Sequence, residues 1–265
     1  MDVVFGVARL TPKHGRLFVA IGVFDGLHRG HRHLLRRLCR EAARRAARPA
    51  VITFDHHPDE VLRGAAPALL CDPTERLRLL ADAGVEVVVV EHFDAALRNT
   101  PYDAFVAGIA ARVELAGFLM TPDSAFGHER AGTPQAVERL GRATAFDVVV
   151  APVLELDGQQ VRSSRIRAAL AEGQLGEARR LLGRAVEVIG DAVVAGDRTA
   201  LVRFELPVAL PPDGRYRAVA RPEPPDGQPR FRVVVSVADG RLRVHRARGN
   251  ALTGRLRVRF LSSLA

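Results

Sequence analysis

The chain has 265 residues, 48% hydrophobic and 26% charged, and its 39 Lys and Arg residues against 30 Asp and Glu give a net charge of +9. This length fits one large or two modest domains, and the balanced composition excludes a wholly disordered chain. Apolar runs such as Val87–Val90 fall far short of the ~20 residues of a membrane-spanning helix, so we expect no membrane protein.

Apolar runs alternate with amphipathic stretches from Phe18 to Val153. The apolar runs predict buried parallel strands, and they are Phe18–Phe24, Ala50–Phe54, Val85–Glu91, Gly117–Met120 and Asp147–Val153. The stretches between them predict helices, near His31–Ala47, Pro73–Ala83, Pro101–Val113 and Pro134–Ala143. This alternation is typical of a doubly wound α/β fold with a parallel sheet.

The pattern changes after Gly183 to short alternating stretches that predict β-strands. They are Ala185–Ile189, Thr199–Leu206, Arg215–Ala220, Arg230–Val237, Arg241–Arg246 and Gly254–Leu261. Turns are predicted at Pro211–Gly214, Pro224–Gly227 and Asp239–Gly240. We therefore predict two domains, 1–183 and 184–265, and expect the second to be a small β-barrel or sandwich.

The clearest chemical signal joins the first predicted strand to the first predicted helix. It is Gly22-Val-Phe-Asp-Gly-Leu-His-Arg-Gly-His31, with two imidazoles at the turn. The carboxyl ends of strands border the ligand site of an α/β sheet, and a helix N-terminus there offers N–H groups to an anion. Gly26 and Gly30 would let the backbone approach phosphate oxygens, and two hydrogen-bonding histidines suit a phosphoryl group under attack. The alternative is a pair of ordinary turn histidines.

A second candidate anion site is Val161-Arg-Ser-Ser-Arg-Ile-Arg167. Ser163 or Ser164 would cap a helix over Arg165–Ala171, and Arg167 offers a planar fork for phosphate oxygens. The alternative is a structural cap followed by a solvent-exposed arginine.

Four segments in order resemble bacterial FAD synthetases, which are FMN adenylyltransferases of the H-x-G-H nucleotidyltransferase superfamily and are usually fused to riboflavin kinase. Besides Gly22–His31, Thr53-Phe-Asp-His-His-Pro58 is similar to that family's T-F-x-P-H-P. Asp123-Ser-Ala-Phe-Gly-His-Glu-Arg-Ala-Gly132 is similar to its D-F-x-F-G-x-x-x-x-G, and Val161–Arg167 to its S-S-T-x-I-R. The resemblance covers roughly residues 20–190.

The resemblance implies a Rossmann-like enzyme that transfers AMP from ATP to the phosphate of FMN, giving FAD and pyrophosphate. It implies catalytic roles for His28, His31 and Arg167. The nucleotide-binding residues that it implies are Gly22, Phe24, Asp25, Gly26, Gly30, Ser163 and Ser164. The acceptor-binding residues that it implies are His57, Asp123, Phe126, Gly127 and Arg130. Mg²⁺ would bind through the ATP phosphates, and the sequence suggests no Cys/His/Asp cluster for a protein-bound metal.

The chain departs from the family pattern in both predicted domains. His56 replaces the first Pro of T-F-x-P-H-P, and Ser124 stands where the family usually has Phe, which removes an aromatic surface suited to flavin. The acceptor is therefore FMN or a modified or different phosphate. The G-F-P-T-A-N segment of riboflavin kinase is absent and Arg243 occupies the expected Glu position. We expect no riboflavin kinase activity, and a barrel with a structural, dimerising or regulatory role.

The charge and cysteine content bear on partners and location. Of the basic residues only Lys13 is a lysine, which suggests a coding bias rather than a DNA-binding surface, and the chain lacks Trp for stacking on bases. Cys39 and Cys71 are too few for a disulfide scaffold, and no basic segment followed by an apolar one opens the chain, so we expect a cytoplasmic protein. We expect no nucleic-acid or membrane partner, and homo-oligomerisation is left open.

Three other functions stay open at this point. The first is nucleotidyl transfer to another acceptor, such as a sugar, alditol or pantetheine phosphate. The second is a catalytically silent protein that senses nucleotide or flavin, and the third is a nucleic-acid binder suggested by the net charge. His28, His31, Ser164 and Arg167 favour an enzyme, because a silent protein is free to lose them.

Overall fold

The computed structural model describes residues 1–224, 229–246, 248–249 and 251–264. They form two compact units, the first made of Met1–Pro67 and Arg76–Gln160 and the second of Ala68–Glu75 and Val161–Ala265. The division after Gln160 differs from the boundary predicted at Gly183. The compact units do not test whether 1–183 and 184–265 are functional domains, so that division stays a prediction.

The first unit is built on a six-stranded parallel sheet. Its strands β1 to β6 are Asp2–Phe5, Arg16–Ile21, Arg48–Phe54, Val87–Glu91, Glu114–Met120 and Asp147–Val150. Their order is β1-β4-β3-β2-β5-β6. The chain steps outward from β2 through β3 and β4, and then places β5 on the other side of β2. The strand order thus reverses between β2 and β5, where open α/β sheets bind ligands at the carboxyl ends of the strands.

Helices and short turns connect the strands of this sheet. The helices α1 to α6 are Arg29–Arg44, Pro58–Arg63, Pro73–Asp82, Ala95–Arg98, Tyr102–Ala110 and Pro134–Thr144. Short 3₁₀ turns lie at Val7–Arg9, Pro12–His14, Asp25–Leu27 and His128–Arg130, and a small hairpin pairs β7 (Glu155–Leu156) with β8 (Gln159–Gln160).

Apolar side chains of the sheet are buried on both of its faces. In β2, Leu17 and Val19 belong to one apolar core, whereas Phe18 and Ala20 belong to another. Successive side chains of a strand point to opposite faces, so a strand buried on both faces has a continuous apolar run. The predicted Rossmann-like parallel sheet is confirmed.

The second unit contains two helices and a closed barrel. Helices α7 and α8 are Ser163–Ala171 and Leu175–Leu182. The strands β9 to β14 are Glu187–Gly196, Thr199–Arg203, Gly214–Pro222, Phe231–Ala238, Arg241–His245 and Gly254–Leu264, in the order β10-β13-β12-β11-β14-β9. The predicted barrel is confirmed. The predicted turn at Pro224–Gly227 lies, after its first residue, outside the described residues.

The buried side chain of Arg257 connects several segments of the second unit through ion pairs. The guanidinium of Arg257 in β14 donates to the carboxylates of Glu75, Glu187 and Glu223 at distances of 2.6 to 3.2 Å. The side chain is only 4% exposed. Hydrogen bonds to these carboxylates outweigh burial and raise the pKa of Arg257, so the group stays charged.

Candidate active site

The turn after β2 winds tightly into the start of α1. Phe24, Gly26 and Leu27 have positive φ angles of 51°, 73° and 39°. The left-handed backbone at Phe24 cannot continue a strand, so β2 ends at Ile21 and the predicted strand end at Phe24 is wrong. Asp25 and His28 are each 3% exposed, which places both predicted site residues inside the turn. Gly30 lies in the first turn of α1.

The two histidines of the turn lie face to face. Nδ1 of His28 accepts a hydrogen bond from the backbone N–H of His31 at 3.3 Å, and His28 thereby caps α1. An imidazole that accepts through Nδ1 carries its proton on Nε2 when neutral, so His28 can donate from Nε2. The two rings stack with their centroids 3.6 Å apart and their planes at 20°. The structure therefore brings the two predicted catalytic imidazoles together.

The His31 ring is held in its neutral form. Its Nδ1 is enclosed and has no hydrogen-bond partner among the described residues. Burial, followed by the charge of the neighbouring His28, holds the pKa of His31 well below its ordinary value. Two stacked imidazoles disfavour a second positive charge, so near neutral pH the pair carries at most one.

Two side chains from neighbouring elements fix the backbone of this turn. The hydroxyl of Thr53 in β3 donates to the carbonyl of Val23 at 3.0 Å. The buried guanidinium of Arg76 in α3 donates to the same carbonyl at 3.3 Å and to the carbonyl of Phe54 at 2.6 Å. Arg76 was missed by sequence reasoning, because nothing in the pattern of α3 distinguishes it from a surface arginine.

A cavity of about 660 Å³ opens at the carboxyl ends of the central strands. Its wall includes Gly22 and five phenylalanines, Phe54, Phe93, Phe105, Phe118 and Phe126. This volume is typical of small-molecule sites, and aromatic walls suit a flat conjugated ligand. The loss of an aromatic residue at Ser124, which also lines the wall, therefore leaves a cavity that is still strongly aromatic.

Most of the predicted acceptor residues lie on this cavity, whereas the histidine pair lies outside its lining. The described lining includes His57, Phe126, Gly127 and Arg130, but not Asp123. Nδ1 of His57 accepts from the N–H of Asp59 at 3.1 Å and caps α2.

The segment from Asp123 to Gly132 forms one wall of the cavity because of two glycines. A Cβ at Gly127 would lie 2.6 Å from the backbone N of Tyr102, and one at Gly132 would lie 2.7 Å from the Cβ of Tyr102. Gly127 also has a φ of 76°. Only glycine therefore allows this segment to pack on the start of α5.

Hydrogen bonds close the turn before that segment. The Ser124 hydroxyl donates to the carbonyl of Thr121 at 2.8 Å, and the Thr121 hydroxyl donates to the carboxylate of Asp123 at 2.8 Å. The Arg130 guanidinium donates to the carbonyl of Asp123 at 3.1 Å. Asp123 thus shapes the loop that carries Phe126 and Arg130.

Comparison with known proteins decides the family. The FAD synthetase family model matches residues 10–165, which is more than half of the chain and includes the histidine turn and the cavity. The chain belongs to the FAD synthetase family.

Curated relatives agree with this assignment, and a solved structure shares the fold. The bifunctional riboflavin kinase/FMN adenylyltransferases of Escherichia coli K12 and Pseudomonas fluorescens are each 32% identical to this family member, over 74% and 76% of its chain. The matches span 64% of each relative, less than two thirds of its length. The crystal structure of a macrolide-efflux protein from Streptococcus pneumoniae shares the fold, with a TM-score of 0.84 and 23% identity over 100% of this chain and 91% of that one.

The remaining predicted site residues lie in the second unit. α7 begins at Ser163, and its N-cap is Arg162, so the predicted serine cap is wrong. Nε of Arg167 donates to the carbonyl of Ala68 at 2.6 Å. The roles of Ser163, Ser164 and Arg167 toward ATP in this FAD synthetase family member stay predictions.

A further cluster of titratable side chains was also missed by sequence reasoning. Asp55, His56 and His92 have ligand atoms that all lie within 4.8 Å of one another.

No helix in the described part of this family member is long and apolar enough to cross a membrane.

Proposed function

We propose that this chain transfers AMP from ATP to the phosphate of FMN, forming FAD and releasing pyrophosphate. One observation carries the proposal. The segment after β2 supplies both the stacked imidazoles of His28 and His31 and, through Gly22, part of an aromatic cavity. A phosphate-activating turn and a pocket for a flat ring thus follow the same strand, at the point where the strand order reverses.

The chemistry requires charge stabilisation rather than a covalent nucleophile. An oxygen of the acceptor phosphate attacks the α-phosphorus of ATP, and the bond from that phosphorus to the bridging oxygen of the leaving pyrophosphate breaks. His28 donates a hydrogen bond from Nε2 to the developing negative charge. The N–H groups at the start of α1 add their partial positive charge, and neutral His31 orients the His28 ring by stacking.

The cavity suits the flavin part of FMN. Phe54 and Phe93 meet edge to face with ring centroids 5.3 Å apart, and Phe126 packs against Phe118 at 5.8 Å. These rings offer apolar faces to an isoalloxazine ring, while Arg130 supplies a positive charge for the FMN phosphate.

Mg²⁺ fits this reaction as an ion carried by ATP. In the described part of the chain, three side chains of metal-ligating types lie close enough to share an ion. They are Asp55, His56 and His92, so two of the three donors are nitrogens. Mg²⁺ prefers oxygen ligands and commonly uses substrate phosphates, so those side chains do not suit it. When bound to ATP, Mg²⁺ would neutralise phosphate charge.

A modified or different phosphate acceptor is the second candidate. Ser124 lies in the cavity wall, where the resembled family pattern has an aromatic residue. Its hydroxyl donates to the carbonyl of Thr121, and the hydroxyl oxygen still makes the wall more polar at this point than a phenylalanine would. An acceptor with a polar group on its ring would favour this wall.

We further propose that the barrel does not phosphorylate riboflavin. The segment Gly-Phe-Pro-Thr-Ala-Asn is absent from the sequence, and β9 turns directly into β10 between Gly196 and Thr199, which leaves no loop there for such a segment. Arg243 is exposed on β13 and supplies no carboxylate base.

The test is incubation of the chain with ATP, Mg²⁺ and one acceptor at a time, with pyrophosphate and dinucleotide measured. FMN-dependent release with formation of FAD would support the main proposal. Release only with another phosphate would support the second candidate, and release with none would exclude both. Conversion of riboflavin to FMN would overturn the proposal for the barrel. A cytoplasmic location and the absence of a nucleic-acid partner stay predictions.

A further inference from the structure

Three metal-ligating side chains meet at the carboxyl ends of two neighbouring strands. Phe54 of β3 pairs in register with Glu91 of β4, so the next residues, Asp55 and His92, lie side by side. His56 follows Asp55 directly. None of the three is among the described residues that line the aromatic cavity. The cluster therefore lies beside the cavity, next to the lining residues Phe54, His57 and Phe93, without lining it.

The side chains of the cluster already converge. Nδ1 of His92 lies 2.6 Å from Oδ2 of Asp55, and Nδ1 of His56 lies 3.3 Å from Oδ1 of Asp55. The two imidazole rings meet edge to face, with centroids 6.0 Å apart. Two nitrogens and one carboxylate oxygen thus lie within 4.8 Å of one another.

A second observation points to a ligand at this place. Nδ1 of His56 is itself enclosed and makes no hydrogen bond among the described residues beyond its 3.3 Å ion-pair contact with Asp55, although the side chain as a whole is 43% exposed. An enclosed nitrogen with only this contact is incompletely satisfied, and a bound cation would satisfy it.

The carboxylate of Asp55 is oriented by the backbone. Its Oδ1 accepts hydrogen bonds from the N–H of His56 at 2.7 Å and the N–H of Phe93 at 3.3 Å. Outer hydrogen bonds of this kind are what hold a ligating carboxylate in place at metal sites. Oδ2 is directed at His92 instead, which leaves it in position to ligate.

We propose that Asp55, His56 and His92 bind a divalent transition-metal ion of the Zn²⁺ class, with a fourth position taken by water. Imidazole nitrogens with a carboxylate are a common ligand set for such ions, whereas Mg²⁺ requires oxygen. Metal–ligand bonds of about 2.0–2.2 Å place ligand atoms somewhat over 3 Å apart, so small rotations of the side chains suffice. His92 is 68% exposed, so apart from its contact with Asp55 solvent leaves room for such a rotation. The proton between His92 and Asp55 passes to solvent when the ion replaces it.

The test measures binding of Zn²⁺ to the full chain without an affinity tag, by calorimetry and by metal analysis after dialysis. The expected result is one tight Zn²⁺ per chain, which excess Mg²⁺ does not displace. His56→Ala, His92→Ala and Asp55→Asn should each weaken binding at least about tenfold. The matched control is His128→Ala, because Nε2 of His128 lies 3.9 Å from the Glu129 carboxylate in a pair to which the described residues add no third ligand. This control should bind Zn²⁺ like the wild type.

Two results with the variants would overturn the proposal. One is a wild-type affinity for Zn²⁺ no higher than that of the double variant His56→Ala/His92→Ala. The other is a loss of Zn²⁺ affinity in His128→Ala as large as that in the variants of the cluster. Circular dichroism without metal identifies any variant that does not fold. The visible spectrum of Co²⁺ bound to the wild type gives a second measurement that needs no variant, and a spectrum identical to that of free Co²⁺ would also reject the site. All these readouts are independent of AMP transfer, so their failure and that of the proposed function are distinguishable.

Discussion

Nδ1 of His28 accepts a hydrogen bond from the backbone N–H of His31 at 3.3 Å, while the two imidazole rings stack at 3.6 Å. His28 therefore combines two functions that usually belong to different residues. It caps α1, as Ser or Asp often do, and it presents the other ring nitrogen as a donor. These two functions can be separated by substitution.

His28→Asn should keep the cap and lose the proposed catalytic donor, because the NH₂ group of the shorter asparagine does not reach the position of the imidazole Nε2–H. Asparagine is a strong N-cap residue, so we expect stability near that of the wild type. Removing one donor to a transition-state charge typically costs about 10²–10³ in rate, and we expect this loss in FMN-dependent pyrophosphate release. His28→Ala should show the same loss of rate and, in addition, about 0.5–2 kcal/mol lower stability. A wild-type rate in His28→Asn would remove the imidazole from the mechanism.

The pH dependence of stability should report on His31. Burial beside His28 lowers the pKa of His31 in the folded chain, whereas in the unfolded chain the pKa of this histidine is about 6.5. Below that pH the unfolded state binds a proton that the folded state resists, so stability is lost as the pH falls. One such group contributes a slope of at most about 1.4 kcal/mol per pH unit. Urea unfolding from pH 7.5 to 5 should show a shallower slope for His31→Gln, and parallel curves would contradict the prediction.

The sequence predicted the layout of the fold where local patterns carry it. Continuous apolar runs such as Val87–Glu91 indicate strands buried on both faces, and the alternating stretches after Gly183 indicate the barrel. The short strand Asp2–Phe5 was missed, because four residues give no recognisable period. Strand β2 was extended too far, since apolar Val23 and Phe24 continue the run while the backbone at Phe24 already turns.

Apart from the family resemblance, which grouped the distant residues His57 and Phe126, the sequence indicated chemical groups only where they are close together in the chain. His28 and His31 are three positions apart, so the pair is visible in the sequence as a motif. Asp55 and His92 are 37 positions apart, and only the parallel register of β3 and β4 brings them together. Arg76 was hidden for a similar reason, because its carbonyl partners follow β2 and end β3.

Gly127→Ala should disturb the cavity wall that is proposed to bind the acceptor. Gly127 combines a φ of 76° and a ψ of 177°, a region that is essentially restricted to glycine, with a Cβ position 2.6 Å from the backbone N of Tyr102. We expect at least about 1–3 kcal/mol lower stability and a higher KM for FMN. The matched control is Gly64→Ala, which has the same φ of 76° but nothing within 4 Å. That control should lose only about 1–2 kcal/mol and keep its KM. An unchanged KM in Gly127→Ala would separate this wall from the acceptor site.

Arg257 and Arg259 allow a matched test of burial in the second unit. Both lie on β14 and both pair with Glu187, but Arg257 is 4% exposed and Arg259 is 45% exposed. Arg257→Ala leaves three carboxylates near one another without their shared cation, and breaking such a buried pair costs about 3–5 kcal/mol. Arg259→Ala removes a solvent-screened pair, which is worth at most about 1 kcal/mol. Denaturant unfolding should therefore separate the two variants clearly. Equal losses of stability in the two variants would show that solvent weakens the Arg257 cluster. At low pH the carboxylates take up protons, so a partial recovery of the stability of Arg257→Ala there would confirm that repulsion between them causes the loss.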